Sequence, residues 1–230
     1  MNESAAALED VRRRMAEAAQ RAGRRTDSVR LIAASKTQSI AAVQQLVDCG
    51  QTRFGESRMQ EALVKIAHFA ELGLEWHFIG HLQSKKARLV PGHFSWVHSI
   101  DSAGTAGRIG AEAERLDVSV NLLLQVNIAD DPAKHGVPES GLFALAETIL
   151  GQPHAGIRLC GLMTIGRADA QADATRRDFA RLRELLEQCR VRFGSDFREL
   201  SMGMSGDYEM AIEEGATLVR VGSALFGVRA

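Results

Sequence analysis

Eight short apolar runs alternate with amphipathic stretches along the chain, and no other feature limits the fold as much. The runs lie at 30–35 (RLIAAS), 52–56 (TRFGE), 75–80 (EWHFIG), 95–100 (SWVHSI), 119–128 (SVNLLLQVNI), 157–165 (IRLCGLMTI), 198–204 (RELSMGM) and 217–223 (TLVRVGS). The central ones are almost continuously apolar, as parallel strands covered on both faces are. The segments between them, 39–49, 58–72, 81–90 (a short one), 102–116, 139–150, 170–193 and 206–214, read as helix-like. In the first of these, Ile40, Val43, Leu46 and Val47 precede Gly50, a helix stop. Eight βα units within 230 residues predict an α/β fold: a single (β/α)8 TIM barrel, one domain over 1–230. The N-terminal segment, with Leu8, Val11 and Met15 on one face, becomes an extra helix. A doubly wound open sheet is the alternative, because strand number alone does not close a barrel.

Charge and composition exclude several other classes. The net charge of -1 gives no bulk attraction to nucleic acid or an anionic membrane. No apolar stretch nears the roughly 20 residues that span a bilayer. The charged N-terminus lacks the apolar core of a signal peptide. Cys49, Cys160 and Cys189 are odd in number and far apart, which argues against a disulfide framework and for a cytoplasmic chain with reduced thiols. The seven histidines show no metal-ligand spacing, so no metal is expected. The basic groups Arg12–Arg14 and Lys85, Lys86, Arg88 read as solvated helix faces.

Chemistry enters at strand ends, where barrel enzymes place their sites. Lys36 follows the first strand, at the rim of the barrel mouth. A partly desolvated amine there favours its neutral form, which attacks carbonyls. The same position also suits a lysine whose stem packs while its head reaches solvent. The seventh run enters SMGMSGDYE, and the eighth enters RVGSALFG. Gly203, Gly206, Gly222 and Ser223 there offer backbone and hydroxyl donors where barrels often bind phosphate; helix capping by Ser205 or Asp207 is the plainer account of the first turn. Arg220 interrupts the apolar run LVRVG, so it meets either a core carboxylate or a ligand. A lysine, a phosphate cradle and an inward arginine together suit pyridoxal 5′-phosphate (PLP), the vitamin B6 cofactor.

The chain also resembles the pyridoxal phosphate homeostasis protein family, small proteins on the alanine racemase N-terminal barrel. The resemblance runs almost end to end. It rests on ASKTQ (34–38), RFGESRMQEA (53–62), WHFIGHLQSKKARLV (76–90), QVNIADDPAKHG (125–136), GLMTIG (161–166), LSMGMSGDYEMAIEEGAT (200–217) and VRVGSALFG (219–227). It implies that Lys36 holds PLP covalently as an internal aldimine. It further implies that Ser201, Gly222 and Ser223 bind the phosphate, with backbone help near Gly203, and that Arg220 meets the ring nitrogen. Met163 and His77 end their strands and are placed against the ring; a hydrogen-bonded core position is the alternative for His77. Ser57-Arg58 stands where the family usually has Asn-Tyr, so Ser57 is a smaller substitute near the ring. His81 stands where proline is common.

Three functions remain open on these residues. The first is a non-catalytic PLP carrier that maintains and supplies the cofactor, with PLP-dependent apoenzymes as its recipients. The second is a racemase-like enzyme. It needs an acid/base on each face of the substrate carbon, and the one tyrosine, Tyr208, lies in a helix where it is expected to pack. Related racemases take such a tyrosine from a second domain, whereas a single barrel is expected here. The third is an aldolase using Lys36 directly on a sugar phosphate. The first is preferred, as a monomer without nucleic-acid or membrane partners.

Overall fold

The computed structural model describes residues 3–152, 154–166 and 171–227. Among the described residues, eight strands form a closed barrel: β1 (Arg30–Ala34), β2 (Arg53–Glu56), β3 (Glu75–Phe78), β4 (Trp96–Ile100), β5 (Val120–Gln125), β6 (Ile157–Met163), β7 (Glu199–Ser201) and β8 (Leu218–Val221). Every neighbouring pair is parallel, and β8 closes onto β1 with Leu218 opposite Arg30 and Val221 opposite Ala33. The open-sheet alternative is thereby excluded. Helices α1 (Glu3–Arg21), α2 (Ile40–Asp48), α3 (Met59–His68), α4 (Ala103–Arg115), α5 (Leu142–Leu150), α6 (Ala172–Phe193), α7 (Tyr208–Glu213) and α8 (Ser223–Phe226) surround it.

Strand alternation separates two apolar regions. Val219 and Val221 of β8 face outward into a large core shared with the helices. Leu218 faces inward and packs with Ile32, Trp96, Leu123 and Met163 in a small plug inside the barrel. The period-two pattern of a strand produces both faces at once. Gly55 on β2 makes room for the plug, since a Cβ there would lie 3.0 Å from the Ile32 side chain and 2.9 Å from that of Ile79.

The local signals explain most boundaries. Ser39 caps α2 by accepting the Ala42 N–H at 3.2 Å, and Gly50, at φ +80, ends the turn after it. The extra helix α1 packs on α2, α7 and α8 outside the β8–β1 seam, burying Leu8, Val11 and Met15. Two expectations need correction. The segment 81–90 forms only a 3-10 turn at Ser84–Leu89, and β7 is three residues long rather than spanning 198–204. In the second case Gly203, at φ +93, turns the chain off the strand early.

Candidate functional site

A cleft of about 520 Å³ opens at the C-terminal ends of the strands. Ala34, Lys36 and Gln38 from the end of β1, Ile79 after β3 and Ile165 after β6 form one part of its wall. Met204, Ser205 and Gly206 after β7, with Arg220, Gly222 and Ser223 from β8 and its turn, form another.

Lys36 owes its position to a clamp behind it. Buried Lys65 of α3 donates to the Ser35 carbonyl at 2.8 Å and to Glu56 at 2.7 Å, and the Ser35 hydroxyl donates to the same carboxylate oxygen at 2.7 Å. The Ser35 N–H reaches the Gly55 carbonyl of β2 at 2.9 Å. Thr37 then adopts φ +67, an uncommon conformation for a β-branched residue. The strand thus ends abruptly, with the half-buried Lys36 on the cleft wall.

The phosphate-like turn is built around Ser205, which the sequence offered only as a helix cap. Its Oγ accepts the N–H groups of Gly222 at 3.1 Å and Ala224 at 3.3 Å, so one hydroxyl joins the β7 and β8 turns. Gly203 does not line the cleft. A Cβ on it would lie 2.6 Å from Ala211 and 2.9 Å from the Tyr208 backbone, so its role is to let the β7 turn pass over α7.

Arg220 is 5% exposed and reaches the cleft from inside the barrel. It donates to the Ser201 hydroxyl at 2.5 Å and to the Thr164 carbonyl at 2.9 Å. Among the described residues no carboxylate lies within ion-pair distance of it. Burial lowers its pKa to about 10, opposed by the charge of Asp207, so it stays a cation at neutral pH. The described residues thus hold no core carboxylate paired with Arg220.

Behind Arg220 runs a buried chain. Ser201 Oγ lies 2.7 Å from His98 Nδ1, His98 Nε2 lies 2.9 Å from His77 Nδ1, and His77 Nε2 lies 2.8 Å from Glu75 Oε1. Burial above all lowers the pKa of both histidines, that of His98 well below its usual value. The hydrogen bond from His77 in turn lowers that of Glu75. An ionised carboxylate only accepts, so His77 donates to Glu75, His98 to His77, and Ser201 to His98. Every donor points away from Arg220, and each neutral imidazole gives one hydrogen bond and takes one.

The expected site residues thus divide. Lys36, Arg220, Gly222 and Ser223 meet in the cleft. Ser201 is fully buried beneath Arg220, with its hydroxyl shared between Arg220 and His98, not on the phosphate-like turn. His77 takes the core position that was its alternative, stacked on Trp96 with centroids 5.8 Å apart. Met163 is part of the interior plug. Ser57 lines a separate cleft of about 340 Å³ with Arg58 and His81. Reading the sequence missed Ser205, whose signal was its place between two glycines in SMGMSGD, and His98, which looked like an ordinary strand residue.

The alanine racemase N-terminal domain family matches residues 7–230. The pyridoxal phosphate homeostasis protein of Pseudomonas aeruginosa is 47% identical over 216 residues, covering 94% of this chain and 91% of its own. That of Escherichia coli is 40% identical over 238 residues, covering 100% and 98%. The solved structure of PipY from Synechococcus elongatus with PLP bound superposes with a TM-score of 0.81 at 38% identity, covering 93% of this chain and 100% of PipY.

Proposed function

Because this chain belongs to the pyridoxal phosphate homeostasis proteins, built on the alanine racemase N-terminal barrel, we propose that it binds PLP through Lys36 and maintains its supply without a robust catalytic activity of its own. One convergence supports this reading: a lysine, an arginine with no carboxylate partner among the described residues, and two linked Gly/Ser turns share one cleft. The cleft's chemistry fits the group. Lys36 would hold the aldehyde. The N–H groups of Gly222 and Ala224, with the hydroxyls of Ser205 and Ser223, would hold the phosphate, in place of the bonds that Ser205 now accepts. Ile79, Ile165 and Met204 supply apolar wall.

Bound there, PLP would supply an aldehyde and an electron-withdrawing ring. Arg220 can donate a hydrogen bond to the ring nitrogen but cannot readily give it a proton. A guanidinium in that place restrains the ring's electron-withdrawing power, where a carboxylate would enhance it. Ser201, His98, His77 and Glu75 act at a distance, fixing the guanidinium's angle through hydrogen bonds that have only one consistent direction. Tyr208 does not join the cleft. It is buried, with Arg14 of α1 over its ring, so it is not the base that a racemase needs.

No described helix is long and apolar enough to cross a membrane. Cys49, Cys160 and Cys189 are free thiols, and burial raises the pKa of Cys160 and Cys189 to about 11. The reading extends to a monomeric carrier in the cytoplasm with PLP-dependent apoenzymes as its recipients. The deciding experiment is the visible spectrum of the purified protein, before and after borohydride, with the mass of the Lys36 peptide. A yellow protein whose reduced pyridoxyl group maps to Lys36 is expected. A colourless protein that takes up no added PLP would overturn the proposal.

A further inference from the structure

Beside the cofactor cleft, the turns after β3, β4 and β5 bring together three side chains that are far apart in sequence: His81, Asp101 and His135. One ligand atom from each lies within 4.8 Å of the other two. His81 Nδ1 is 3.8 Å from Asp101 Oδ2. The rings of His81 and His135 are parallel, with centroids 3.7 Å apart and planes 10° apart. We propose that His81, Asp101 and His135 form a binding site for a divalent transition-metal ion of the zinc class.

The donor set and its setting support that class. Two imidazoles and a carboxylate are borderline ligands that suit zinc, nickel, copper or iron, whereas calcium and magnesium prefer oxygen alone. Three protein ligands leave one tetrahedral position for water. With metal–ligand bonds of about 2.0–2.1 Å, the ligand atoms of a closed tetrahedral shell lie about 3.4 Å apart. The three groups therefore need to close by little more than about 1 Å. The histidine rings must also turn from face-to-face to edge-on. They have room, because His81 and His135 are both exposed.

The backbone carrying them is already fixed. The Gly80 carbonyl accepts the Ser99 hydroxyl, linking the turn after β3 to β4. The His135 carbonyl accepts Gln125 Nε2 at 2.8 Å. Its neighbour Lys134 donates to the Gly166 carbonyl at 3.0 Å, anchoring that turn across to the end of β6. An ion would thus join three positioned turns on the side of the barrel mouth that Ile79 borders. The ligands must be deprotonated to bind, so affinity falls on acidification.

The test uses the full chain without cofactor, because PLP itself chelates metals. Zinc is titrated calorimetrically, and cobalt(II) serves as an optical probe of coordination. We expect one ion per chain and visible cobalt bands of a four- or five-coordinate site. His81→Ala and His135→Ala should each weaken zinc binding at least about tenfold, while His93→Ala, elsewhere on the surface, should change nothing. Circular dichroism confirms that the variants fold. No binding near one equivalent, or zinc affinity unchanged in the His81→Ala/His135→Ala double variant, would overturn the site. The titration does not involve Lys36, so the site and the PLP reading can fail separately.

Discussion

Among the described residues Arg220 donates to one hydroxyl and one carbonyl and to no carboxylate, while also lining the cleft. Its nearest support, Ser201, faces His98 rather than the cleft. This arrangement separates two roles for Ser201 that the sequence could not distinguish. Ser201→Ala removes the tie between Arg220 and His98 and leaves a buried acceptor unsatisfied, at about 1–3 kcal/mol. If Ser201 positions Arg220, the bound cofactor's absorption shifts in the same direction as in Arg220→Ala. A normal spectrum with weakened binding would instead return Ser201 to the phosphate. Lys36→Ala should lose covalent PLP while the unfolding free energy of the cofactor-free protein stays within about 0.5 kcal/mol of its parent, because Lys36 ends at a rim. A large loss of stability would place Lys36 in the core.

At the scale of elements, two devices aim the site. The first is the clamp of α3 on the end of β1. Lys65 and Glu56 are 5% and 0% exposed, and removing one charge leaves the other stranded. Lys65→Met should therefore cost about 3–5 kcal/mol in a urea titration, and it should also loosen Lys36 and lower PLP occupancy. A loss under about 1 kcal/mol would mean that Glu56 finds other partners. The second device is the bend at Gly203. At φ +93, with Ala211 and Tyr208 close by, an added methyl faces both strain and collision. Gly203→Ala should destabilise by at least about 1–3 kcal/mol and weaken PLP by displacing Ser205. Intact binding in a folded Gly203→Ala protein would argue against that coupling.

Across the whole molecule, the barrel interior makes stability depend on pH. His77 and His98 have folded-state pKa values below the unfolded value of about 6.5. The unfolded chain therefore binds protons first on acidification. Their contribution is complete above about pH 6.5 and is lost as the pH falls from there toward the folded values, by up to about 1.4 kcal/mol per pH unit for each group. Urea midpoints measured from pH 8 to pH 5 should fall below pH 6.5. A flat profile over that range would show that the two imidazoles are not held neutral. The same interior explains how one barrel carries a polar chain at little cost: each link is satisfied at both ends, so burial leaves none of these groups without a partner.

The order of the strands, their parallel burial and the lysine at the first strand end were legible in the sequence because each depends on local periodicity and spacing. RLIAASK reads as a strand that stops, and RVGS as a turn with donors, whatever surrounds them. Closure of the barrel was not legible, because it depends on the register of β8 against β1, which are almost the length of the chain apart. Nor was the burial of Ser201, His77 and Met163 within the barrel. A strand residue's alternation reveals that it faces one side, and only the closed barrel makes that side an interior instead of a cleft. Ser205 entered the site, and Ser57 turned to another cleft, through backbone turns whose angles no spacing encodes. His81, Asp101 and His135 met for the same reason: loops distant in sequence become neighbours only when eight strands close around one axis.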